Sequence, residues 1–146
     1  MFMKELEEIE EIAKGMREIL ERILLDSIKT TETSGVCLYG AILLSNAINQ
    51  FAEAKAIVCG GGPEENCGII DKNGDKKGHY WVEGTTNNGV HFIADITSDQ
   101  FEYPKVVVLN EDQGGNRYFP GHHETIQQHV KQEIKSCMQS GKKYNR

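Results

Sequence analysis

Apolar positions in residues 4 to about 28 recur at steps of three and four. Leu6, Ile9, Ala13, Met16, Leu20 and Ile23 make the run, Ser27 closes it, and Ile12, Ile19 and Leu24 widen the stripe. That spacing predicts an amphipathic helix, because residues three and four apart share one helical face. Glutamates fill its early turns, where the positive end of the helix dipole favours them. The polar stretch KTTETSG breaks the pattern. A second helix is predicted from about Ser34–Val36 to Gln50, with Cys37, Ala41, Leu44, Ile48 and Phe51 on one face and Thr33 or Ser34 as the cap.

After residue 54 the period falls to two. KAIVCGGG reads as a strand ending in glycines, HYWVEG and VHFIADIT as two more strands, and PKVVVLNED as a fourth with Pro104 at its start. PEENCGIIDKNGDKKG is rich in turn formers. Residues 124–139 return to helical spacing, with Ile126, Val130, Ile134 and Cys137 or Met138 on one face. Two helices, an antiparallel sheet of about four strands and a last helix predict an α+β fold. With 146 residues and no repeat, one domain spanning 1–146 is expected.

Composition removes several functions. The net charge of -6 leaves no basic footprint for nucleic acid, and the closing GKKYNR reads as a solvated terminus. No apolar run reaches the length of a membrane span. The first residues are acidic from position 5 on and do not form a secretory signal. Cytoplasmic synthesis is therefore expected, with export by a signal-independent route left open. Cysteines at 37, 59, 67 and 137 match no zinc spacing, so free thiols and no metal or other cofactor are expected. Oligomeric state is not encoded in any pattern here.

The two central strands carry the chemistry. HYWVE and VHFIAD are joined by GTTNNG, a hairpin-like connection. Pairing symmetric about Asn87 sets Glu83 against His91, Trp81 against Ile93 and His79 against Asp95. Opposed side chains are about 4.5–5.5 Å apart at Cβ, within reach of an imidazole–carboxylate contact. Asp95 within FIADIT is costly to bury unless it is paired, so a partner is expected. A histidine so held has a fixed tautomer. A thiol at a helix start, beside such an imidazole, is the natural nucleophile, with unpaired N–H groups of the first turn ready for an oxyanion. Cys37 opens the second helix and fits that place.

The segments SGVCLYGAILLSNAI, GHYWVE and HFIADITSDQF together resemble the papain-like cysteine hydrolases in their transglutaminase-like form. ADITSDQF is similar to the D-x-T-x-D-Q-F stretch of bacterial transglutaminase-like proteins. The resemblance spans about residues 34–110. It implies Cys37 as nucleophile, His79 as general base and acid, and Asp95 as the residue that orients His79. It also implies a thioester route on a protein or peptide substrate, by glutamine deamidation or peptide cleavage, in the manner of bacterial effector deamidases and cysteine peptidases. No Gln or Trp precedes Cys37 closely, which leaves the oxyanion to its backbone N–H.

Blander readings stand beside these. A lone cysteine is usually core, and so is a lone tryptophan, although Trp81 could wall a substrate cleft. Ser34, Gly35 and Gly40 are small enough to admit a substrate backbone. His91 is the alternative base and Asp99 the alternative orienter. His122 and His123 invite a metal reading with His129, but adjacent histidines point apart and GHHE precedes a helix, so the pair reads better as loop and cap residues than as zinc ligands. CGGGP lacks the lysine of a phosphate loop. The functional alternative is a non-catalytic protein-binding module that uses the acidic first helix.

Overall fold

The computed structural model describes residues 2–28 and 36–139, with side chains over 6–26 and 36–138. Helix α1 is Phe2–Ile28 and α2 is Cys37–Phe51. The strands follow as β1 (Ala54–Gly61), β2 (Gly68–Ile70), β3 (Lys76–Lys77), β4 (His79–Thr86), β5 (His91–Asp95) and β6 (Val107–Asn110). A one-turn helix α3 (Glu111–Gly114), strand β7 (Tyr118–Phe119) and helix α4 (His123–Gln139) complete the order. The fold is α+β. The proposed cap residues Thr33 and Ser34, the glycine at 35 and the terminal GKKYNR lie outside the described residues.

The four strands expected from the sequence form one antiparallel sheet in the order β1-β4-β5-β6. Its two faces are covered differently. Val58, Val82, Phe92 and Ala94 face the helices and pack with Ile9, Leu20, Leu44 and Ile48. Each fully buried aliphatic there contributes about 1.5–3 kcal/mol. On the other face Trp81 and Ile93 pack with Ile69 and Tyr118, which come from a second sheet ordered β3-β2-β7. The sequence reading did not foresee that sheet, whose strands of two or three residues are too short to show a period.

The β4–β5 register differs from the expected one. Val82 pairs with Ala94, Glu83 with Ile93, Gly84 with Phe92 and Thr85 with His91. Each β4 residue therefore meets a β5 residue two places further along than pairing about Asn87 sets. The turn decides this. Gly89 takes a positive φ of 88°, its N–H donates to Thr86 O, and Thr86 N–H donates to Val90 O. The hairpin is thus centred on Asn88. An offset of two leaves every side chain on its face, since strands repeat every two residues. His79 and Asp95 are diagonal neighbours, not directly opposed.

Helix α1 is tied to this end of the sheet by a buried cation. Arg17 lies within the buried stripe of Ile9, Ala13, Leu20 and Leu24, and its side chain is 4% exposed. It donates to Ile96 O at 2.8 Å, to both carboxylate oxygens of Asp99 at 2.9 and 2.8 Å, and to Glu21 at 2.9 Å. Burial opposes the charge, but Asp99 and Glu21 outweigh it and the guanidinium pKa is raised. Asp99 is therefore the partner of Arg17 and not the orienter of a histidine. Arg17→Lys keeps the charge and loses the planar fork that serves three acceptors at once. Urea unfolding of that variant is expected to show a loss of about 1–3 kcal/mol; an unchanged midpoint would count against the tether.

Candidate active site

The site is assembled where β4 begins and β5 ends. His79, the first residue of β4, has a fully buried side chain, and its Nε2 lies 2.7 Å from Asp95 Oδ2. A diagonal pair of long side chains can close that gap across two strands. Tyr118 OH donates to the same oxygen at 2.9 Å. The other oxygen accepts from Thr97 N–H at 2.9 Å, with Thr97 Oγ1 at 3.4 Å. The carboxylate is thus buried and bonded at both oxygens, as an ionised group in that position must be.

The segment ADITSDQF builds this arrangement residue by residue. Asp95 meets His79, Thr97 bonds back to Asp95, and Asp99 anchors Arg17. Gln100 Nε2 donates to Thr97 O at 3.0 Å. Phe101 sets its edge on the His79 ring, with centroids 4.8 Å apart and planes at 76°. Trp81 stacks on the same imidazole at 6.0 Å and 29°. Trp81 is only 1% exposed and donates to Glu83 at 2.8 Å, so it supports the histidine from the core and does not wall a cleft. Gly40 has a packing role too. A Cβ there would lie 3.2 Å from Thr97 Cγ2 and 3.3 Å from Leu20, so its lack of a side chain lets α2 approach the turn after β5, not a substrate.

Burial alone would lower the His79 pKa, but the Asp95 charge and hydrogen bond override it, with a further contribution from Cys37, and the pKa is raised to about 9. The imidazole is therefore protonated at neutral pH. Cys37 is the first residue of α2, and the first backbone bond of that turn runs from Gly40 N–H to Val36 O. The residue at the N-cap position, Val36, makes no side-chain cap hydrogen bond. The sulfur acts on the imidazole both by charge and as a hydrogen-bond partner, but the contact is too loose to satisfy Nδ1, which is buried without a well-formed hydrogen bond.

Cys37 and His79 line one cleft of about 240 Å³, together with Tyr80, His129 and the backbones of Gly61 and Gly62. The narrow floor depends on Gly61, where a Cβ would stand 2.5 Å from Cys67 Cβ and 3.2 Å from Gly121 N. On one wall Tyr80 OH and His129 Nδ1 are 2.7 Å apart. A larger hollow of about 470 Å³, lined by Lys55, Ile57, Glu83 and His91 among others, lies on the open sheet face away from the His79–Asp95 pair. His91 belongs to that hollow, bonded to Thr85 Oγ1 at 2.9 Å, and does not compete for Asp95.

Compared with protein-family models, curated proteins and solved structures, the chain has no match. The chemistry of the site therefore rests on its own geometry and on the motif resemblance. Among the described residues no group of three or more His, Cys, Asp or Glu side chains could hold a metal ion, and no helix is long and apolar enough to cross a membrane. All four cysteines are free. Cys59 is the least suited to nucleophilic work, since burial and the nearby Glu83 push its thiol up to about 12.

Sequence reasoning missed Tyr118, Thr97, Phe101, Tyr80 and His129. Thr97 had a local signal, because Asp side chains commonly accept from the N–H two residues on. Tyr118 had none, being in a two-residue strand of another sheet.

Two outcomes follow. Tyr118→Phe removes one donor from the shared Asp95 oxygen. Stability should fall by about 1–2 kcal/mol, and the His79 pKa should rise further as that oxygen becomes a stronger acceptor. Imidazole NMR titration reads the shift, and a fall in pKa would contradict the shared-acceptor geometry. The second concerns pH. A histidine raised from about 6.5 to about 9 on folding stabilises the fold fully below pH 6.5. That contribution is lost as pH rises through 9. Urea unfolding should show a decline across this window in the native chain and a flatter profile in Asp95→Asn.

Proposed function

We propose that the chain is a cysteine-dependent amide hydrolase of the papain-like, transglutaminase-like type. One observation carries this reading. A buried imidazole, tied to Asp95 through Nε2, leaves its unpartnered Nδ1 on the same cleft as a cysteine that opens a helix. A structural histidine at this depth would be expected to use both nitrogens.

In this reading Cys37 reacts as its thiolate, beside the His79 imidazolium and at the positive end of α2. The thiolate attacks the amide carbonyl carbon, and the first-turn N–H groups receive the oxyanion. His79 then donates its Nδ1 proton to the departing nitrogen, the C–N bond breaks, and ammonia or an amine leaves a thioester. Water attacks the thioester carbonyl as His79 takes up a proton, and the acid product departs with the thiolate restored. Asp95 holds the ring throughout and keeps Nε2 as the donor side. The substrate is a protein or peptide amide: a glutamine carboxamide, or a peptide bond.

The reading is tested by thiol reactivity. Iodoacetamide at pH 6–7 should alkylate Cys37 well ahead of Cys59, Cys67 and Cys137, with fast labelling absent in Cys37→Ala and slowed at least tenfold in His79→Gln. Equal reactivity of all four thiols, and only near pH 8.5, would return the chain to a non-catalytic binding module. On a protein target, a gain of about one dalton without chain cleavage marks deamidation.

A further inference from the structure

The mouth of the Cys37–His79 cleft is acidic. Glu64 and Glu65, on the 3-10 turn Pro63–Glu65, stand on its rim, and both are exposed. The Glu64 carboxylate is folded back over the cleft-lining Gly62: a Cβ built there would lie 2.6 Å from Glu64 Oε1. Among the described residues no Lys or Arg lines the cleft. Among the described residues neither carboxylate is in an ion pair, and the nearby Lys76 is occupied, donating to Asn66 O and Oδ1 and lying over the Phe119 ring. His122 and His129 also line the cleft. The second observation is His79 itself, 1% exposed, with Nδ1 unpartnered on this same cleft. Two carboxylates with no ion-pair partner among the described residues thus flank the cleft that Cys37 and the buried His79 line.

We infer that the cleft selects substrates bearing a cationic group, of the Lys or Arg kind, beside the amide that Cys37 attacks, with Glu64 and Glu65 as the specificity-determining residues. This rests on the proposed function for the identity of the reacting atom. The carboxylates act on whatever approaches the sulfur. Like-charged substrates are held off and oppositely charged ones concentrated, an effect that grows in a cleft and shrinks with salt.

Charged thiol reagents test this without a known substrate. Methyl methanethiosulfonate (neutral), its trimethylammonioethyl analogue (cationic) and its sulfonatoethyl analogue (anionic) all react alike: the thiolate attacks the sulfenyl sulfur, a disulfide forms, and methanesulfinate leaves. Rates at Cys37 are read by peptide mass spectrometry at pH 8. The cationic-to-anionic rate ratio should fall about tenfold from the native chain to Glu64→Gln/Glu65→Gln at low ionic strength, and about threefold at 0.15 M. Because Cys37 is the same in both proteins, its own charge cancels from the comparison. A ratio unchanged within about twofold, or a preference for the anionic reagent in the native chain, overturns the inference. The neutral reagent separates the two claims. If it reacts no faster at Cys37 than at the other thiols, the nucleophile reading fails, while the charge ratio at Cys37 still reports on Glu64 and Glu65. Both substitutions are at exposed positions and should leave the fold intact, which circular dichroism checks.

Discussion

A buried carboxylate is the constraint from which the rest of this molecule follows. Asp95 ends β5 with almost no contact with water. An ionised group there costs several kcal/mol unless donors surround it. Its donors come from three separate stretches of chain: His79 at the start of β4, Thr97 in the next turn, and Tyr118 in β7. Satisfying one charge therefore fixes the hairpin, the turn after it and the docking of the second sheet. That turn is gripped from outside by Arg17, which joins Ile96 O and Asp99 to α1. The helices are thus coupled to the carboxylate through the backbone beside it.

The same network sets the electrostatics of the cleft. An imidazole between a buried anion and an open cleft is raised well above its ordinary pKa, and its charge faces whatever occupies that cleft. The sulfur at the start of α2 is the group so placed. Gly40, one turn into α2, brings that helix within contact of Thr97, so the thiol and the carboxylate are positioned by opposite ends of one packed joint.

The central sheet was legible because the period of two survives errors of register. Counting from Asn87 misplaced the pairing by two residues, yet His79 and Asp95 stayed on one face and still met. The turn was illegible in detail because TTNNG admits several loops, and only the positive φ of Gly89 selects one. Arg17 was hidden by its company: an arginine four residues before a glutamate on a helix reads as a surface pair, and its other acceptors are 79 and 82 residues away. Trp81 was ambiguous, since a side chain on the histidine's face can wall a cleft or support the ring. The second sheet, built from pairs of residues such as Tyr118–Phe119, decided for support. The helix start at Cys37 was read to within a few residues, as end signals usually allow.

The packing around the His79 ring has a consequence for proton traffic. Trp81 lies along one face, Phe101 presses an edge against it, and Nε2 is held by Asp95. A ring so enclosed cannot turn over without breaking its bond to a buried anion. The proton on Nε2 is then a permanent fixture, and every exchange with the outside passes through Nδ1. The imidazole is a single-port device, and the order of proton movements in any reaction at the cleft is set by that one opening.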